Sequence, residues 1–458
     1  MRNILHIICS IITAFLLIII HTACDKHINR NVETYELPDT LIVGTLYSPT
    51  TFFIFKGDTL GYEYERINKF TQDKGIVARF VLGNNLPHMI ELLDSGKIDL
   101  IAYEVPITNE YKNIVIHCGN ENITNQVLVQ PKSNKMITDA IQLIGQEVYV
   151  EKGSKYESRL KNLDNEVGGG IIIHSVSPDS ATTEDLIEMV ADRKVPLTIT
   201  DSDIAKINRT YFKNINIEVP ISFAQRASWA VKDSILADSI NSWNELQESK
   251  NASMALIKRY FELSKNEERN INYPKLNFSN GNISPYDHIF KKYAPEIGWD
   301  WRILAAQAWS ESRFDTTAVS WAGAKGLMQL MPGTARAYGL DIEHITNPEL
   351  NVKAAVANLK ELNRILSKRV PNEEERMKFI LAAYNSGVGH VLDAIALAKK
   401  YGKNPQIWEG NVSETLRWKA NPEYFNDEVC RAGYFRGSET IAYVEKVNKY
   451  YNYFKSKI

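Results

Sequence analysis

The residue pattern changes character once along this chain, and that change limits the fold more than any other feature. From Leu41 to about residue 262, short apolar runs alternate with helical stretches. From residue 283 onward, one helical pattern follows another with few strand-like runs. Alternation builds an α/β layer structure around a mainly parallel sheet, whereas successive helices must bury their apolar stripes against each other. A chain of 458 residues has room for both.

Within the first part, 41–45, 79–82 and 98–102 read as strands, and 61–74 and 86–95 as helices, the second closed by Gly96. Residues 127–130 are predicted to leave a first lobe. A second α/β unit then follows, with strands at 147–150, 171–174 and 197–200 and helices at 154–163 and 184–192. Residues 228–231 are predicted to return to the first lobe, ahead of a helix at 234–246. The expected fold class is thus multidomain: a two-lobed α/β domain followed by a mainly α domain. The expected divisions are 1–24 leader, 25–40 polar tether, 41–262 two-lobed domain, 263–282 linker rich in Asn, Lys, Glu and Ser, and 283–458 helical domain.

The leader has its own logic. Arg2 precedes an apolar run over 4–20, broken only by His6, Cys9, Ser10 and Thr13, and His21-Thr22-Ala23-Cys24 follows. A positive start, an apolar core and small residues before a cysteine make an export signal. The ending is similar to a bacterial lipoprotein box, with His21 where Leu is usual, and implies lipidation at Cys24. An uncleaved membrane anchor is the alternative, since about 17 apolar residues can just span a bilayer. Either way the chain is expected in the cell envelope, tethered to a membrane and facing the periplasm. The outer membrane is the assignment; Asp25 leaves the inner membrane as its alternative.

Composition removes other classes. A net charge of -2 gives no electrostatic case for nucleic acid as a partner. Beyond the leader, only Cys118 and Cys430 remain, in different expected domains, and they read as two free thiols. No Cys/His cluster has metal-ligand spacing, so neither a metal nor a cofactor is expected.

One carboxyl group in the helical part has a suitable setting for chemistry. Asp300 is a good N-cap for a helix starting at Trp301. Trp301, Leu304, Ala305, Ala308, Trp309 and Ser312 fall on one buried face. Glu311 sits at the edge of that face, where partial desolvation favours the protonated form that a general acid needs. Position alone does not separate this from a paired or solvated glutamate.

Two resemblances add to this reading. The blocks 41–45, 61–65 and 96–102, with Ile107-Thr108, resemble periplasmic solute-binding proteins of the amino-acid-binding kind. That family's Arg clamp for a carboxylate is replaced here by Asn109-Glu110-Tyr111. A muropeptide or other small ligand is the occupant this implies, a scaffold without a ligand being the alternative. The second set begins with Glu311-Ser312-Arg313-Phe314-Asp315 and runs through Ala322-Gly323-Ala324 and Gly326-Leu327-Met328-Gln329-Leu330-Met331-Pro332. Ala382-Ala383-Tyr384-Asn385-Ser386-Gly387 and Glu439-Thr440-Ile441-Ala442-Tyr443-Val444 complete it. These blocks resemble the lysozyme-like lytic transglycosylases of glycoside hydrolase family 23, with Ser310 where Gln commonly precedes the acid.

That resemblance implies a wall-cleaving enzyme acting on peptidoglycan glycan strands. Glu311 would protonate the bond between N-acetylmuramic acid and N-acetylglucosamine, and a 1,6-anhydromuramoyl product would result. Ser320, Gln329 and Met331 would hold sugar. Tyr384, with its hydroxyl near the acid, and Asn385 would form the second wall, and Glu439 would lie near the cleft. Met331 as plain core and Glu439 as a structural residue are the alternatives. For the whole chain, a hydrolytic muramidase or a non-enzymatic tethered wall sensor are the other readings. A regulatory or sensing role is expected for the first domain.

Overall fold

The computed structural model describes residues 37–458 except 84, 178–179, 264–275, 277 and 279–280. The leader, Cys24, most of the tether and most of the expected linker lie outside the described residues.

Strands β1 (Thr40–Leu46), β4 (Val77–Gly83) and β5 (Leu100–Pro106) pair in parallel, with Thr40 opposite Val77 and Val43 opposite Leu100. Between β1 and β4 the chain makes a small hairpin, β2 (Phe53–Phe55) and β3 (Asp58–Leu60), and the Tyr62–Lys74 helix. Then β6 (Ile116–Thr124) ends the first lobe and β7 (Gln126–Pro131) begins the second. The second lobe adds β8 (Glu147–Glu151), β9 (Ile172–Val176), β10 (Thr198–Asp201) and β11 (Ile215–Pro220), and β12 (Gln225–Val231) returns to the first. The sheet orders are β4-β1-β5-β12-β6 and β11-β7-β10-β8-β9.

Both sheets are mixed, where mainly parallel pairing was expected. β12 runs antiparallel to β5 and β6, and β7 antiparallel to β10 and β11. The strands that carry the chain between lobes enter each sheet without a helical crossover, and only a crossover enforces parallel pairing.

The helical half packs Asp287–Tyr293, Trp301–Ser312, Pro348–Leu366, Glu373–Ser386, Val388–Lys400 and Gly437–Lys457 around one core that includes Leu304, Val352, Leu381 and Val444. A buried ion pair stands at its edge. Lys419, 0% exposed, donates to Asp393, which also accepts the backbone N–H groups of Arg431 at 2.9 Å and Ala432 at 2.8 Å. Burial pulls the Lys419 ammonium below its ordinary range, and Asp393 pushes it back. Asp393→Ala should therefore cost about 3–5 kcal/mol, because a buried charge is left without its partner. A fall in the urea midpoint at constant slope would report it.

Candidate active site

The helix that carries Glu311 starts as the sequence predicts. The Asp300 side chain accepts from Arg302 N–H at 3.0 Å, and the helix runs Trp301–Ser312. Its burial is wider than a single face: residues 303–309 are all buried, Ala306 and Gln307 included. The helix lies between its neighbours and packs along the C-terminal helix, so it has little polar side to show. Its end is fixed by Ser312, whose hydroxyl donates to Leu327 O at 2.7 Å and so ties the helix to the next loop. Arg313 and Phe314 follow with φ of 55° and 63°. Two adjacent non-glycine residues in the left-handed region turn the chain sharply just after the acid.

Glu311 lines a cavity of about 400 Å³ together with Ser310, Ser320, Trp321, Gln329, Asn385, Glu439 and Tyr443. Its side chain is only 6% exposed. Ser320 takes the Ala324 N–H on its hydroxyl at 2.9 Å. Gln329, at φ 49°, donates its amide to Ala318 O at 3.0 Å and Gly326 O at 2.9 Å, and so holds its own loop together. Asn385 accepts from Thr440 Oγ1 at 2.6 Å. Glu439 faces Arg436 at 3.6 Å.

Two of the expected residues are not among those that line this cavity. Tyr384 Oη donates to Met328 O at 2.8 Å, so its proton is committed to the backbone rather than to the acid. Its hydroxyl is held well above the ordinary range, first by burial and then by the Glu311 charge. Met331 does not line the Glu311 cavity. It packs in a small apolar cluster with Leu60, Ala322 and Ala324, against Phe53, Phe55 and Trp321.

The feature that the sequence reading missed is the β2–β3 hairpin, which enters the groove from the first half of the chain. At its tip, Lys56 Nζ lies 3.0 Å from Glu311 Oε2, and the two side chains are 9% and 6% exposed. The same ammonium stands 5.8 Å from the centre of the Tyr384 ring. Lys56 N–H donates to Ser386 O at 3.1 Å, and His390 Nε2 meets Ile54 O at 2.9 Å. The Phe55 and Trp321 rings lie 5.6 Å apart. Gly387 admits this approach: a Cβ there would come within 2.9 Å of Gly57 N, and its φ of 96° already disfavours a side chain. Phe-Lys-Gly-Asp between apolar residues is a turn signal, but nothing local names the partner.

The second lobe closes the groove from another side. Tyr211, Phe212 and Glu188 line the same cavity, and Arg436 donates to Asn208 Oδ1 at 2.7 Å while lying over the Tyr211 ring. Between the lobes, a separate cavity of about 590 Å³ is lined by Tyr103, Glu151, Lys155 and Asp201 and roofed by Asn421, Phe425 and Tyr434 of the helical half. Asn421 Nδ2 donates to Glu151 there at 2.5 Å. Tyr111 packs against the first-lobe core. Among the described residues, no group of His, Cys, Asp and Glu could hold a metal ion, and no helix is long and apolar enough to cross a membrane.

The model of the transglycosylase SLT domain matches residues 288–407, and that of the bacterial extracellular solute-binding proteins, family 3, matches 41–272. A membrane-bound lytic murein transglycosylase F from Desulfosudis oleivorans is 30% identical over 428 residues, covering 91% of this chain and 90% of the relative. The chain belongs to the membrane-bound lytic murein transglycosylase F family. A transglycosylase F from Pseudomonas fluorescens is 28% identical over 426 residues, with 92% and 86% covered. Among solved structures, the open L-cystine solute receptor of Neisseria gonorrhoeae is 16% identical at a TM-score of 0.42, covering 52% of this chain and 98% of that one. As a transglycosylase F, the chain is a peptidoglycan lytic transglycosylase with a solute-binding-like domain in front of it.

Proposed function

We propose that this enzyme cleaves the β-1,4 bond between N-acetylmuramic acid and N-acetylglucosamine with Glu311 as its one catalytic carboxyl group, and leaves a 1,6-anhydromuramoyl end. The observation that carries this reading is a desolvated glutamate at the floor of a groove whose other catalytic-half carboxylate, Glu439, is already faced by Arg436. Ordinary glycosidases divide acid and base or nucleophile between two carboxyl groups. Here one group serves twice. Glu311 gives its proton to the bridging oxygen as the bond to C1 breaks. The carboxylate then takes the proton of the C6 hydroxyl as that oxygen bonds to C1. No water is consumed. Ser320, Gln329, Asn385 and Glu439 line the groove for the glycan strand, and Met331 becomes available to it when the hairpin leaves.

Mass spectrometry of purified sacculi after digestion tests the chemistry. The expected muramoyl ends are lighter by one water than hydrolysis products. Reducing ends would make the protein a muramidase, and no soluble product would leave a wall-binding sensor.

The closed groove also supports a regulatory role for the first domain. Lys56 neutralises the acid, and the hairpin that carries it fills the sugar site, so the arrangement is a latent state. The cavity between the lobes offers a place for a muropeptide or other small ligand. A ligand that binds better to another lobe arrangement would shift the population toward the open groove. Lipidation at Cys24 would hold the enzyme on a membrane, facing the periplasm, with the outer membrane as the proposed site.

A further inference from the structure

One buried side chain near the acid has no packing explanation. Gln307 is 0% exposed, surrounded along its helix by Leu304, Ala305, Ala306 and Ala308. Neither its amide oxygen nor its nitrogen completes a well-aligned hydrogen bond. Burying an amide in that condition is unfavourable, and a core that needed only volume would hold Leu or Met. Gln307 lies one turn before Glu311, on the same side of the helix.

The group between them is Tyr443, on the Gly437–Lys457 helix. Its side chain lines the same cavity as Glu311, and its hydroxyl, which interacts with both Glu311 and Gln307, is held well above the ordinary range first by burial and then by the Glu311 charge. Like Gln307, it completes no well-aligned bond, and neither does Glu311 Oε1. Three unsatisfied polar groups thus adjoin, while the other carboxylate oxygen is held by Lys56. Ser310, next to the acid, spends its hydroxyl on Ala306 O at 2.8 Å and gives Glu311 nothing.

We infer that Gln307 is a positioning residue for the transglycosylase reaction: its amide N–H donates to the Tyr443 hydroxyl, which directs the single phenolic proton onto Glu311 Oε1. Oε2 is then the oxygen that faces the glycosidic bond once Lys56 is withdrawn. The loose geometry fits a site held in its latent state, since catalytic hydrogen bonds commonly tighten only with substrate. This rests on Glu311 being the acid.

The test is Gln307→Leu, with Gln307→Met as a second apolar variant of similar length, each made in the full chain and in the Lys56→Ala full chain. Soluble uncrosslinked glycan strands are the substrate. If Gln307 positions Tyr443, kcat falls about tenfold at unchanged KM, and Tm holds or rises because an unpaired buried amide is gone. Combined with Tyr443→Phe, either variant adds nothing further, because the two residues act in series. Unchanged kcat, effects that multiply with Tyr443→Phe, or a loss of rate that only tracks a fall in Tm would overturn the inference. Absence of turnover in every chain, the parent included, would instead overturn the enzymatic reading of Glu311.

Discussion

Glu311→Gln in the full chain should lower the release of anhydromuramoyl products by about 10²–10⁴-fold, the range that a positioned general acid contributes. Gln keeps the shape of the side chain but has no proton to transfer and cannot accept one from the C6 hydroxyl. Both halves of the proposed cycle therefore fail together, and no added nucleophile should restore turnover. The variant also separates chemistry from access. It removes the charge that holds Lys56, 3.0 Å away in the parent, so the hairpin should become more open to limited proteolysis while activity falls. A chain that is both easier to cut at 53–60 and unable to cleave sacculi places the defect in the acid, not in the plug. A Glu311→Gln chain that still cleared sacculi would assign the chemistry elsewhere.

Much of this site was legible because its information is local in sequence. Asp300 caps, the helix runs to Ser312, and Glu311 follows its apolar neighbours by helical spacing. The motif blocks then placed Ser320, Gln329, Asn385 and Glu439 on one groove, and the structure brings these residues around Glu311. Tyr443 lies inside the same block as Glu439 but is not legible there as a site residue, because a tyrosine on a helix reads as packing until its hydroxyl is seen beside a carboxylate. Gln307 was invisible for a related reason. A one-face reading of the acid helix left it out of the buried stripe, and only a helix packed on all sides buries it. Lys56 belongs to a different class of omission. Its contact with Glu311 joins residues 255 positions apart in different halves of the chain. Periodicity and turn chemistry report what a segment forms, not which distant surface it fills. The β2–β3 hairpin could be suspected from its Lys-Gly turn, but its role could not.

Lys56→Ala should raise the initial rate of the full chain on sacculi by roughly tenfold or more. A hydrogen bond between charged groups contributes about 1.5–3 kcal/mol, and each 1.4 kcal/mol moves a two-state population tenfold. Removing the ammonium also leaves the Glu311 carboxylate buried without a counter-charge, which penalises the closed form specifically. The backbone contacts of Lys56 with Ser386 and of Ile54 with His390 remain, so the hairpin should loosen rather than unfold. Lys56→Arg separates this from the opposite role. If Lys56 only plugs the groove, an arginine that still reaches the carboxylate should keep the chain latent. If the ammonium instead assisted the reaction, Lys56→Ala would slow the enzyme and Lys56→Arg would recover part of the loss. A rise for Ala with little change for Arg supports the latch. An unchanged or lower rate for Ala would mean that the closed groove is not what limits the enzyme, and the first domain would then need another way to act on Glu311.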